Sequence, residues 1–149
     1  MGGTPGLRPV LAALALIASG AAWAIEYRSV AEPAVLYDAP SKQANPLYVV
    51  ARQTPVEVIV AVEGWYKVRD PGGDISWIEK RLLADRRTLI VSAPRGEVRK
   101  LPDEASPLVF ASEKDVVLEL VEAGPPGWAK VRHRDGLTGY VRVNQVWGL

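Results

Sequence analysis

Trp65-Tyr66-Lys67-Val68-Arg69 and Trp128-Ala129-Lys130-Val131-Arg132 twice set a tryptophan, a lysine and an arginine at alternate positions. Successive residues of a strand point to opposite faces. Val68 and Val131 are natural interior residues, so Trp65, Lys67 and Arg69 share the other side, as do Trp128, Lys130 and Arg132. A broad amphipathic ring beside two cations is contact chemistry for an acidic peptide. Trp65, Lys67, Trp128 and Lys130 are therefore candidate ligand-binding residues. The competing expectation is that each tryptophan packs half-buried under a neighbouring loop.

Bond-making chemistry finds less to work with. The chain has no cysteine and a single histidine, His133. A lone histidine at the mouth of a hairpin is expected to be solvated, and it cannot build a metal site without partners. No serine elbow stands near it, and no glycine loop of the phosphate-cradling type occurs. Asp70, Asp74, Asp103 and Glu104 fall in loops, where carboxylates solubilise. A small barrel filled by its own side chains leaves little cleft for a carboxylate pair. The expectation is a non-catalytic protein with no cofactor and no metal.

The elements that must position these residues come as a repeat. Gly64-Trp65-Tyr66-Lys67-Val68-Arg69 is echoed by Gly127-Trp128-Ala129-Lys130-Val131-Arg132, sixty-three positions on, and Gly73 with Trp77-Ile78 by Gly136 with Tyr140-Val141. A period of this length is a small domain rather than a solenoid unit. Val56-Glu57-Val58 corresponds to Leu118-Glu119-Leu120 at an offset of sixty-two, and Val56 to Val62 reads as a strand with four valines on one face. One extra residue in Ala123-Gly124-Pro125-Pro126 accounts for the change of offset. Glycine turns follow each Gly-Trp strand and close hairpins. Trp77 and Tyr140 are expected in a core or interface, and Glu79 to Leu83 as a single helical turn. Upstream, Ala34-Val35-Leu36-Tyr37 is set opposite Glu97-Val98-Arg99-Lys100, Pro40 opposite Pro102, and Pro46-Leu47-Tyr48-Val49 opposite Pro107-Leu108-Val109-Phe110. Short strands with turns between them indicate an all-β protein of two small barrels or sandwiches.

Residues 1–24 stand outside the repeat. Arg8 is their only charge, Val10 to Ala18 is apolar, and Ala22-Trp23-Ala24 has the small-x-small form that a signal peptidase reads. The apolar run is short of the ~20 residues of a spanning helix. Cleavage after Ala24 is expected, leaving no membrane span and a mature chain with seventeen Lys/Arg against seventeen Asp/Glu. Arg86-Arg87 is the nearest approach to a basic cluster, so nucleic-acid binding is not expected. Without disulfides, two domains of ~60 residues must rely on apolar burial and are marginal alone, which favours contact between them.

The order of landmarks resembles the bacterial SH3 domain (SH3b, Src-homology-3-like), twice over. The first copy reads Ala34-Val35-Leu36-Tyr37, Pro40, Val56-Glu57-Val58, Gly64-Trp65-Tyr66-Lys67-Val68, Gly73 and Ser76-Trp77-Ile78. The second reads Glu97-Val98-Arg99, Pro102, Leu118-Glu119-Leu120, Gly127-Trp128-Ala129-Lys130-Val131, Gly136 and Gly139-Tyr140-Val141. The resemblance implies two tandem five-stranded β barrels, residues 25–85 and 88–149, that bind peptides. For exported bacterial members it implies cell-wall (peptidoglycan) peptide as ligand and the periplasm or cell envelope as location. Tyr37 and Trp65 match aromatics of the family's groove, which adds Tyr37 to the ligand-binding candidates. The sequence departs from the groove after Trp77, where Glu79 to Leu83 stand in place of Pro or Tyr, and Lys100 is read as replacing the tyrosine in the second copy. The alternative function is an adaptor whose two units present one surface to an envelope protein.

Overall fold

The computed structural model describes residues 1–3, 6 and 24–149, so most of the segment read as a signal peptide lies outside the described residues. Among the described residues no helix is long and apolar enough to cross a membrane. The first half of the chain forms β1 (Glu26–Val30), β2 (Ala34–Tyr37), β3 (Pro46–Val50), β4 (Pro55–Val62), β5 (Trp65–Arg69), β6 (Ile75–Glu79) and β7 (Leu83–Ala84). The second forms β8 (Thr88–Val91), β9 (Arg95–Arg99), β10 (Leu108–Glu113), β11 (Val117–Ala123), β12 (Trp128–Arg132), β13 (Thr138–Arg142) and β14 (Val146–Trp147). Two separate sheets result, ordered β3-β2-β6-β5-β4-β1-β7 and β10-β9-β13-β12-β11-β8-β14. The sequence repeat is thus a repeat of topology, strand for strand, and the protein is all-β with two tandem SH3-like barrels. Short 3-10 turns, Lys80–Leu82 and Val143–Gln145, precede the last strand of each unit.

Each sheet has seven strands where five were expected. The additional pair brings the chain in and out side by side: Ser29 pairs with Ala84 and Val30 with Leu83, as Ile90 pairs with Trp147 and Val91 with Val146. Alternation along β4 is also broken. A register shift between Val58 and Val60 turns the end of the strand over, so Val56 is fully buried while Val60 and Val62 are 43% and 37% exposed. A bulge adds one residue to one strand and reverses which side faces in. The four valines do not share a face; two serve the core and two the surface. The same shift in β11, between Leu120 and Glu122, brings Glu122 opposite Lys130.

Two aliphatic cores form, one around Val30, Leu36, Val56, Val68 and Ile78, the other around Leu89, Val91, Val98, Leu118, Val131 and Val141. Each such side chain contributes roughly 1.5–3 kcal/mol when fully buried. Between the units, Tyr27 meets Trp147 edge-to-face at 5.2 Å. The Arg87 guanidinium lies 5.5 Å from the Tyr27 ring centroid, and its Nη2 donates to Gly148 O at 2.7 Å. Thr88 Oγ1 donates to Gln53 O at 2.7 Å. Gly148 has φ +120, and a Cβ there would lie 2.9 Å from Thr88 O and 3.4 Å from Pro55 Cβ. Only glycine accepts both that backbone and that approach.

Candidate functional site

Cross-strand pairs in an antiparallel sheet share a face. Tyr37 pairs with Trp77, and Trp77 with Lys67. Their chain neighbours Leu36, Ile78 and Val68 are fully buried, so Tyr37, Trp77 and Lys67 form a row on the outer face. Trp65, two positions before Lys67, lies on the same side. The Tyr37 and Trp65 rings meet edge-to-face, centroids 5.5 Å apart and planes at 87°. Lys67 Nζ sits 5.9 Å from the Trp77 ring centroid and has no carboxylate partner among the described residues. Tyr37, Trp65 and Lys67 are thereby brought together, each half-buried, and Trp77 joins them. Sequence reasoning set Trp77 in a core or interface, but Ser76 and Ile78 take the inward positions and leave it outside.

One rim of this face is the loop after β2. Asp38 accepts hydrogen bonds from Asn45 N at 3.0 Å and Asn45 Nδ2 at 2.9 Å, which closes the loop on itself. Lys42, from the same loop, reaches Glu79 at 3.7 Å, and Arg81 Nε reaches it at 2.9 Å. Glu79 is paired across the strands with Trp65. The outcome is an aromatic patch with Lys67 inside it and a partly neutralised carboxylate at its edge. Such a surface can stack against apolar or planar groups and draw in an anionic one.

The second unit uses the equivalent positions differently. Tyr140 pairs with Arg99 as Trp77 pairs with Tyr37, and Val98 is fully buried as Leu36 is. Arg99, not Lys100, therefore stands at the place of Tyr37; the offset here is sixty-two, and the burial of Leu36 and Val98 reveals it. Arg99 is held by Glu97 at 2.7 Å and by Ser106 O at 3.0 Å. Trp128 is only 7% exposed. The Arg142 guanidinium covers its ring at 4.3 Å and is itself fixed to Glu104 at 2.8 Å. The turn before β12 packs close against its base, since a Cβ on Gly124 would lie 3.2 Å from Trp128 Cβ. Trp128 reaches a hollow of about 360 Å³ walled by Glu97, Arg99, Glu104, Arg142 and Gln145. Lys130 Nζ lies 3.9 Å from Glu122. Tyr140 is half-buried on the outer face rather than in a core. The contacts that bury Trp128 come from its own unit, not from the first.

Two turn residues also differ from expectation. Asp70 is 8% exposed and accepts from Asp74 N at 3.0 Å and from the Tyr48 hydroxyl. It ties the edge strand β3 to the hairpin rather than serving as a free loop charge. Burial, followed by the Asp70 carboxylate, pushes the Tyr48 phenol up to about 12. His133, expected in solvent, lies 5.5 Å from the Phe110 ring, with Nδ1 3.0 Å from Asp135 Oδ1. Among the described residues no three acidic or histidine side chains gather as metal ligands. The inter-unit set, Tyr27, Arg87 and Trp147, escaped sequence reasoning because its members are spaced sixty residues apart along the chain. Only the adjacent pair Arg86-Arg87 was visible.

Residues 30–85 and residues 92–148 each match the family described as Bacterial SH3 domain. Among solved structures, the chain is similar to NlpC2 from Trichomonas vaginalis at 14% identity and a TM-score of 0.38, over 85% of this chain and 49% of that one. It is similar to NlpC1 from Trichomonas vaginalis at 16% identity and a TM-score of 0.40, over 98% and 52%. An NlpC/P60 family protein from Bacillus cereus matches at 13% identity and a TM-score of 0.38, over 82% and 56%. The chain spans about half the length of these structures. Curated proteins gave no match.

Proposed function

This chain belongs to the bacterial SH3 domain family, and from that premise we propose that it is an exported, non-catalytic binding module of the cell envelope whose first unit recognises cell-wall peptide. Bacterial SH3 domains are commonly cell-wall binding modules. The observation that carries the reading is the edge-to-face pair Tyr37–Trp65 at 5.5 Å, half-open to solvent, with Lys67 and Trp77 on the same face. Wall peptides combine methyl-bearing residues with free carboxylates. Tyr37 and Trp65 offer the stacking surface for the first, and Lys67, without a carboxylate partner among the described residues, the cation for the second. In the second unit the matching places hold Arg99 and a Trp128 roofed by Arg142, so that unit contributes less to peptide binding. The apolar start of the sequence and its Ala22-Trp23-Ala24 ending support export to the periplasm or envelope.

Retention of the purified protein on intact wall sacculi tests the reading. Trp65→Ala removes a groove tryptophan, which typically costs ~2 kcal/mol or more of binding, so retention falls more than tenfold with the circular dichroism spectrum unchanged. Trp128→Ala has a smaller effect on retention. Unaltered retention of a folded Trp65→Ala protein refutes the assignment and favours the alternative, an adaptor that presents its surface to an envelope protein.

A further inference from the structure

Where the two units meet, on a different surface from the aromatic patch, three hollows of about 60, 280 and 190 Å³ adjoin one another around Gln53. The first is walled by Arg86, Thr88, Glu119, Arg132, His133 and Arg134. The second shares His133 and Arg134 with it, and the third shares Arg86 and adds Arg52. Four arginines and one carboxylate, Glu119, line the cleft, a net charge of +3 from these five groups. The protein as a whole has a formal net charge of +1, so this concentration is local. Glu119 is engaged by Arg86 at 2.7 Å and by Arg132 at 3.6 Å. Arg52 and Arg134 are exposed and have no ion pair or side-chain hydrogen bond among the described residues.

The geometry points to this inter-unit cleft as a second binding site, for a phosphate-bearing ligand. A planar carboxylate is satisfied by one guanidinium fork, and the place for one between Arg86 and Arg132 is already taken by Glu119. The free donors, Arg134 from the second unit and Arg52 from the first, line adjoining hollows that share Gln53. A tetrahedral anion presents oxygens in several directions and can accept from Arg134 while it stays within the field of Arg86, Arg132 and Arg52. Walls of one sign also concentrate the field in the cleft and raise the local concentration of anions. The site exists only while the units are docked, because its lining comes from both and the Thr88–Gln53 hydrogen bond links them. Ligand binding would therefore hold the two units together.

The test titrates the isotope-labelled full chain with inorganic phosphate at constant ionic strength, chloride making up the balance, and follows the amides of Gln53, Thr88 and His133 by NMR. Saturable shifts with a dissociation constant on the order of millimolar are expected. The double variant Arg52→Ala/Arg134→Ala, both surface truncations, weakens phosphate at least about tenfold. Glu119→Gln removes the internal competitor and tightens it severalfold. Sedimentation with phosphatidylglycerol and phosphatidylcholine vesicles separates the sources. Saturable phosphate shifts plus retention on phosphatidylglycerol alone, lost in the double variant, identify a lipid headgroup; phosphate shifts without vesicle retention identify a soluble or polymer-borne phosphate. No saturable shift at about 50 mM phosphate, unaltered binding by a folded double variant, or shifts produced by an oligoglutamate peptide but not by phosphate would overturn the proposal.

Discussion

Gly139→Ala perturbs a place where the two copies of the repeat disagree. Ser76 occupies the matching position of the first unit, sixty-three residues earlier, so the repeat alone predicts that a side chain fits. The packing says otherwise. A Cβ on Gly139 would lie 2.6 Å from Arg99 O and 2.6 Å from Val98 Cγ1, against an ordinary contact of 3.4 Å or more. The difference, 3.4 less 2.6, means β13 and β9 must part by about 0.8 Å. The clash falls beside Tyr140–Arg99, the pair that joins these strands, so parting them weakens that pairing. Overpacking costs about 1–3 kcal/mol, and a weakened backbone hydrogen bond about 1 more. A total of roughly 2–4 kcal/mol lowers Tm by on the order of 10–30 °C for a domain of this size. Ser76→Ala is the control: its Oγ is buried without a hydrogen-bond partner, so the substitution leaves Tm unchanged or raises it. Calorimetry and urea denaturation of both variants measure the contrast. A Gly139→Ala protein melting within about 1 °C of the parent would refute the claim that the β9–β13 contact is limited by backbone approach.

Val131→Asp sets an unpaired carboxylate in a fully buried position and costs several kcal/mol, most of a small domain's stability; circular dichroism should show the second unit unfolded, and a variant melting like the parent would contradict the core assignment. Tyr27→Ala and Trp147→Ala, singly and together, should give a coupling of about 0.5–1.5 kcal/mol in a double-mutant cycle of urea unfolding, since the two rings meet at 5.2 Å across the unit boundary. Tyr48 titrates at about 12 in the folded protein against 10.0 for a free phenol. Because the folded value is the higher one, its contribution is complete below pH 10 and is lost as pH rises towards about 12. Thermal melts across that interval should fall more steeply for the parent than for Tyr48→Phe, and parallel curves would refute the coupling.

The paired Gly-Trp-x-Lys-Val segments settled in the sequence that one small β unit is used twice, because turn glycines and alternating valines act over a few neighbouring residues. Val68 and Val131 were legible as core for the same local reason. Strand faces became unreliable wherever the count slipped by one. The bulge after Val58 sends Val60 outwards, and the true partner of Tyr37 is Arg99 rather than Lys100. Neither slip changes composition or spacing enough to be seen without the strand register. That Trp65 stays half-open while Trp128 is roofed by Arg142 depends on Glu104, thirty-eight positions away in sequence. The inter-unit surface joins Tyr27 to Trp147 and sets the hollows lined by Arg52 and by Arg134 around Gln53. Local physics writes the strands and turns into the sequence, whereas charge clusters and ring contacts between distant residues come into being only when the chain folds back on itself.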